Sequence, residues 1–268
     1  MPFEPELEAA AEAARKAADK VRSRAGRLDA SSISEKGHND LVTVADFESQ
    51  ETIVGLLQPA FPQYQVMAEE DEAHGDVEAD QWIIDPIDGT TNFVHGLPPF
   101  SVSIALQVGG EIVVGVVFEI HRREMFTAIR NDGCKLNGKP CFVSKVSRAA
   151  DAMVATGFPT RDSTVPFLAT YLHVLGNIMT GCQSVRRMGS AAADLAYVAC
   201  GRFDGFFEIG LAPWDSAAGG LLIREAGGMI TDFNLNHDFL HGPQVLASNT
   251  AIHTSLAAFV EPLRLEMR

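Results

Sequence analysis

The stretch Trp82-Ile83-Ile84-Asp85-Pro86-Ile87-Asp88-Gly89-Thr90-Thr91-Asn92-Phe93 turns an apolar run into a pair of acids and then into a helix start. Residues 81–85 read as a buried strand ending in an acid, and Pro86 fixes φ immediately after it. Asp88 follows three residues later. Gly89 supplies flexible backbone, and Thr90, Thr91 and Asn92 are residue types that begin helices. The spacing predicts two carboxylates aimed at one point beside a helix N-terminus, whose free N–H groups can hold a phosphate. Two acids so placed, with no basic residue nearby in sequence, repel each other. A hard cation such as Mg²⁺, which takes oxygen ligands, relieves that repulsion. A strand-to-helix turn with an aspartate cap is the alternative, and it accounts for only one of the two acids.

Upstream, residues 4–24 are rich in Ala, Glu, Lys and Arg and predict a long helix stopped at Gly26. Residues 43–57 predict a second helix that closes before Pro59. The runs 81–85, 101–108, 112–119 and 124–130 are short, β-branched or alternating, and bounded by turn residues, so they predict strands. Val108-Gly109-Gly110-Glu111 and Arg130-Asn131-Asp132-Gly133 fit hairpin turns. Residues 1–147 are therefore expected to form an α+β half: helices followed by an antiparallel meander. After Ser147 the rhythm changes. Strands are predicted at 152–156, 203–208 and 229–232, and helices at 165–175, 191–199 and 216–225. That alternation predicts an α/β half over 148–268, packed on the first half as a single domain.

The chain has 268 residues, of which 46% are hydrophobic and 21% charged. No run approaches the ~18 apolar residues of a membrane span, and the acidic start has no apolar leader core. A cytoplasmic protein with no membrane partner is the expectation. A formal charge of −14 argues against sequence-independent nucleic-acid binding, so no nucleic-acid partner is expected either. The same charge disfavours an anionic substrate unless metal ions reverse the sign locally. Cys134, Cys141, Cys182 and Cys200 lie apart in sequence without a C-x-x-C pair and are expected to be reduced, partly buried thiols.

Two further acidic segments bear on the site. The run Ala68-Glu69-Glu70-Asp71-Glu72 follows the apolar stretch 64–67, and its charge pattern alone predicts a solvated face. Ala212-Pro213-Trp214-Asp215 places an acid at a helix start, where it can cap the helix, ligate a metal, or do both. Rival chemistries lack their parts. Asp85 and Asp88 are three apart where an aspartyl-phosphate phosphatase has its acids two apart. Gly133–Lys139 comes near a phosphate-binding loop, but Pro140 stands where the metal-binding Ser or Thr belongs, so a β-turn is expected. The Cys182 segment has Met188 where a cysteine phosphatase needs Arg.

Three blocks together carry a family likeness: Trp82 to Phe93 as quoted; Lys36-Gly37-His38-Asn39-Asp40-Leu41-Val42-Thr43-Val44-Ala45-Asp46; and the segment from Trp214-Asp215 through Glu225-Ala226-Gly227-Gly228. In this order they resemble the inositol monophosphatase family over nearly the whole chain. The resemblance implies a layered αβαβα sandwich. It implies hydrolysis of a phosphate monoester, most directly myo-inositol monophosphate, by water activated with two or three Mg²⁺. Glu69, Asp85 and the Ile87 carbonyl would hold a first metal, and Asp85, Asp88 and Asp215 a second. A third, weaker Mg²⁺ would sit on Glu69.

The same resemblance has Thr90, hydrogen-bonded to Asp46, orient the attacking water, with Glu70 as a helper. The N–H groups of Gly89 and Thr90 would hold the phosphate. Gly189, Ser190, Ala191 and Glu208, with Asp88 and Asp215, match substrate-contacting positions. Lithium inhibition and a symmetric homodimer are implied as well. Metal ions would reconcile an acidic protein with a phosphorylated polyol substrate. Other members act on fructose 1,6-bisphosphate, histidinol phosphate, NADP or 3′-phosphoadenosine phosphates, and a non-catalytic regulator on this fold is an alternative of another class. Two departures from the pattern stand out. Ala68 replaces a frequent Gly, and Ala212 stands where some members place a histidine near the substrate.

Overall fold

The computed structural model describes residues 2–26, 29, 32–38, 40–71, 76–237 and 239–267. In chain order it contains α1 (Glu4–Arg24), β1 (Ile33–Gly37), β2 (Asp40–Thr43), α2 (Val44–Ala60), β3 (Gln65–Ala68), β4 (Gln81–Asp88) and the short α3 (Thr90–Val94). The meander follows as β5 (Ser101–Val108), β6 (Glu111–Glu119), β7 (Glu124–Ile129), β8 (Cys134–Leu136) and β9 (Lys139–Pro140). The second half holds β10 (Met153–Thr156), α4 (Leu168–Gly181), β11 (Ser184–Arg186), α5 (Ala191–Ala199), β12 (Gly205–Ile209), α6 (Pro213–Glu225), β13 (Gly228–Thr231), β14 (Gln244–Asn249) and α7 (His253–Glu266).

Beside the two-stranded β1-β2 ladder, two large sheets form, ordered β3-β4-β5-β6-β7-β8-β9 and β11-β10-β12-β14-β13. Each must cover two apolar faces, and helices do so in pairs. The small residues Ala10, Ala13, Ala14, Ala17 and Ala18 bring α1 close to α2 and to Ile104, Val114 and Val116 of the first sheet. Between the sheets, Leu195 and Ala196 of α5 and Ala217, Ala218 and Leu221 of α6 pack on Ile83, Ala105 and Val117. Their other side packs on Phe206, Val245 and Ala247. Beyond the second sheet, Val174 and Ile178 of α4 and Leu256 and Val260 of α7 cover Val154, Phe207 and Leu246. Five layers follow, the αβαβα sandwich the resemblance implies. Each large side chain so buried contributes about 1.5–3 kcal/mol.

The close approach of α6 to the first sheet depends on Gly115 of β6, where a Cβ would lie 2.9 Å from the Ala218 carbonyl. Gly115→Ala is expected to force those layers apart and cost ~1–3 kcal/mol, read as a lower unfolding midpoint in denaturant.

Several expectations shift. The first sheet is not a pure antiparallel meander, because the apolar stretch before Glu69 forms β3 and pairs in parallel with β4. The second sheet is mixed: β14, which along with β11 and α7 was not foreseen, enters antiparallel between β12 and β13. Helix α2 runs through Pro59 to Ala60, since Phe61 N–H still reaches the Leu57 carbonyl at 2.9 Å. Residues 165–167 are a 3₁₀ turn, and the helix proper continues to Gly181. The acid run is not a solvated face: Ala68 is fully buried, and Glu69 to Asp71 are half-buried just past the end of β3. Asn39 and Glu72, in the quoted blocks, lie outside the described residues. Cys134 and Cys141 stand across the β8–β9 hairpin with sulfurs 3.3 Å apart, although both are free thiols. The Asn137-Gly138 turn of that hairpin confirms the β-turn reading of Gly133–Lys139.

Candidate active site

Strand β4 does not stop at Asp85 but continues to Asp88, and the way it does so creates the site. Asp85 pairs with Ser103 and Asp88 with Ser101, so Pro86 and Ile87 together oppose the single residue Val102. In a regular strand, residues three apart face opposite sides; one extra residue, a β-bulge, restores Asp88 to the face of Asp85. Pro86 has no N–H to lose from the ladder there. Helix α6 begins at Pro213, three residues before the expected start. Asp215 is therefore not the N-cap; it sits inside the first turn and accepts the Ala212 N–H at 2.7 Å.

These placements bring carboxylate oxygens of Asp85, Asp88 and Asp215 within 4.8 Å of one another. All three are buried. Burial, then the charge of Glu69, holds Asp85 well above the ordinary carboxylate range. Asp215 is pushed up to about 7 by burial and by Asp88. Asp88 is raised by burial against four donors: the Ser190 hydroxyl, Ala192 N–H at 2.8 Å, Ala191 N–H at 3.2 Å and the Ser101 hydroxyl at 3.3 Å. Among the described residues no ion pair neutralises any of the three. Crowded carboxylates of this kind suit a hard cation with oxygen ligands.

Glu69 lines the same cleft and pairs with Lys36 of β1 at 3.1 Å. Glu70 does not line it; its carboxylate turns to Lys36 at 2.7 Å, and burial pushes it up to about 7. Thr90 Oγ1 lies 3.1 Å from Asp46 Oδ1 and 3.0 Å from the Ile87 carbonyl, so its one hydrogen is shared between two acceptors. Asp46 is fixed in turn by the Thr43 N–H at 2.8 Å and the Thr43 hydroxyl at 2.6 Å, and burial raises it to about 6.

Gly89, which caps α3 at φ 90°, packs so closely on the Gly189 turn that a Cβ would stand 2.9 Å from the Gly189 carbonyl. Asn92 of the opening motif holds that turn from the other side, donating to the Pro99 and Met188 carbonyls at 2.8 and 2.7 Å. Gly189, Ser190, Ala191 and Glu208 all line the cleft. Glu208 is pushed up to about 8 by burial and by Asp215. Arg161, Arg187 and Asp194 also line the cleft and had no assigned role in the sequence reading. Only Asp194 carried a sequence signal, as the one charged residue of an otherwise apolar helix.

The model of the inositol monophosphatase family matches residues 3–264. The chain is 43% identical over 255 residues to Nus factor SuhB of Salmonella typhimurium, covering 95% of each chain. It is 42% identical over 263 residues to Nus factor SuhB of Pseudomonas aeruginosa, covering 97% of each. The solved extragenic suppressor protein suhB from Bartonella henselae superposes with TM-score 0.88 at 39% identity, covering 95% of this chain and 98% of that one. An IMPase from Thermotoga maritima gives TM-score 0.88 at 34% identity, covering 98% and 100%. On the span of the family model and the identity to these relatives, this chain belongs to the inositol monophosphatase family.

Proposed function

We propose that the chain hydrolyses a phosphate monoester, most directly myo-inositol monophosphate, with Mg²⁺ held by Glu69, Asp85, Asp88, Asp215 and the Ile87 carbonyl. Family membership supports phosphatase activity in general. The observation that carries the finer reading is the convergence of three carboxylates within 4.8 Å, with no ion pair to them among the described residues. When bound, the metal would polarise the phosphoryl group, activate water and balance the leaving alkoxide. The protein's own part is positioning. Thr90, donating to Asp46, keeps its lone pairs for a water that must be held in line with the phosphorus. Asp46, raised to about 6, is ionised at neutral pH and keeps that orientation fixed. The N–H groups of Gly89 and Thr90 would receive phosphate oxygens. Gly189, Ser190, Ala191 and Glu208 would meet the hydroxyl-bearing part, with Asp88 and Asp215 between the two. Glu70, turned to Lys36, is left at most an indirect role.

Phosphate release from purified protein, with and without Mg²⁺, tests this on inositol 1-phosphate, fructose 1,6-bisphosphate, histidinol phosphate, NADP and 3′-phosphoadenosine 5′-phosphate. The expected result is Mg²⁺-dependent release with kcat/KM for inositol 1-phosphate at least tenfold above the rest, and inhibition by millimolar Li⁺. A higher kcat/KM on another member of the panel would move the substrate; no release from any of them would overturn the reaction. The reading includes a homodimer, checked by sedimentation of the same preparation.

A second reading rests on the names of the relatives. Chains 42–43% identical to this one are called Nus factors, which points to a role in transcription. That name runs against the expectation, drawn from net charge, of no nucleic-acid partner. Among the described residues no helix is long and apolar enough to cross a membrane. Binding of the purified chain to RNA polymerase or to RNA, measured with a catalytically inactive variant, separates this role from turnover.

A further inference from the structure

We propose that Asp194 is a specificity-determining residue that, with Glu208 and Arg187, forms a subsite for vicinal hydroxyls of the substrate. The inference rests on the reading of the site as a polyol phosphatase and names the group that reads the polyol. Helix α5 is buried along its whole length, and Asp194 is its only charged residue. The side chain is 1% exposed, lines the cleft, and its Oδ1 has no hydrogen-bond partner. A buried polar atom left unpaired is costly, and a buried charge more so, so the fold by itself would be better served by an apolar residue at this position.

Glycines make the room for the other two members. A Cβ at Gly157 would overlap the Glu208 carboxyl, and one at Gly189 would overlap the Arg187 guanidinium. Arg187 is further steadied over the Phe158 ring, 5.5 Å from its centroid. Burial holds Asp194 well above the ordinary carboxylate range, with Glu208 and Asp88 adding to the rise and Arg187 opposing it. That direction favours the protonated carboxyl, which can donate one hydrogen bond and accept others. Glu208 adds a second carboxyl and Arg187 a fork of N–H donors. Each hydroxyl of a polyol donates once and accepts twice, so adjacent hydroxyls fit this mixture of donors and acceptors. A phosphate ester without hydroxyls gains nothing from it.

The bland account has Asp194 merely complementing the N-terminal end of the α5 dipole. The two are separated by kinetics of the full chain with Mg²⁺ on inositol 1-phosphate and on p-nitrophenyl phosphate, which has no hydroxyl. Wild type that fails to prefer inositol 1-phosphate would overturn the polyol reading itself. Given that preference, Asp194→Ala is expected to lower the ratio of the two kcat/KM values at least tenfold, chiefly through KM for inositol 1-phosphate. Asp194→Asn, which keeps a donor and an acceptor, should recover most of it. Asp194→Leu fills the same space with an apolar group and gives the same reading should the alanine variant not fold. An unchanged ratio, or equal losses on both substrates, overturns the assignment of Asp194.

Discussion

Asp85→Asn is expected to lower Mg²⁺-dependent phosphate release at least ~10³-fold, about 4 kcal/mol of transition-state stabilisation, while the chain stays folded. The amide has almost the shape of the carboxylate, and its oxygen can still accept the hydrogen bond from Ile87 N–H at 3.0 Å. What disappears is the charge at the meeting point of Glu69, Asp88 and Asp215. In EDTA that loss relieves repulsion, so the variant should melt at a higher temperature than wild type even though it is inactive. Opposite signs in the two assays are what distinguish a ligand from a structural acid. Asp88→Asn is a less clean probe, since an amide NH₂ would face the donors Ser190, Ala191 and Ala192 and destabilise the turn as well. An Asp85→Asn protein retaining a tenth or more of wild-type activity would sink the metal site as drawn.

The metal-free chain should lose stability as pH rises from about 4 to about 8. Asp46, Asp215 and Glu208 are raised by burial to about 6, about 7 and about 8. Each group therefore binds its proton more tightly folded than unfolded. Between the ordinary carboxylate range and these raised values the native state holds more protons, so unfolding becomes easier with every step up in pH. Above about 8 the native groups are ionised too and the trend levels off. Mg²⁺ should reverse the loss, because it binds the ionised cluster of the folded chain; at a hundredfold excess over Kd the gain is about 2.7 kcal/mol. Thermal melts at pH 5.5 and pH 8, each with EDTA or with Mg²⁺, read both effects. The melting temperature in EDTA should fall toward pH 8, and the rise on adding Mg²⁺ should be larger there. A melting temperature in EDTA that climbs with pH would show that these acids are ionised without penalty, and the argument for a cation-requiring cluster would fail.

Much of the first half could be read from the chain because its signals are local. The Ala-rich helix α1 has the bounds its composition predicts, and β5 also matches residue for residue, as does α5 of the second half. The turns at Gly109 and Asn131 are set by residues that tolerate positive φ, a property of the residue itself. Misses fell where long-range packing overrode local preference. Gln65–Ala68 is too short to declare itself a strand, and it becomes one because β4 offers an open parallel edge. The acid run that follows looked solvated by charge alone, yet the strand before it carries Glu69 into the cleft. Strand β14 is stabilised by partners on both sides that are remote in sequence.

By itself, the sequence determined that this chain carries two acids and a helix start in one short segment, that a third acid precedes a distant helix, and that the family pattern spans the chain. Composition, turn chemistry and motif spacing are properties of neighbouring residues, and they survive in a one-dimensional reading. Only the tertiary structure decided that the acids become one site. The bulge at Pro86 and Ile87 rotates Asp88 onto the face of Asp85, and bulges are a matter of pairing with β5, not of β4 alone. The packing of α6 between two sheets then delivers Asp215 to the same point, where three buried charges repel one another and create the demand for a cation. Asp194 is the same lesson on the substrate side: one acid in an apolar helix is visible in the sequence, but only the fold turns it toward the cleft and leaves its Oδ1 without a partner.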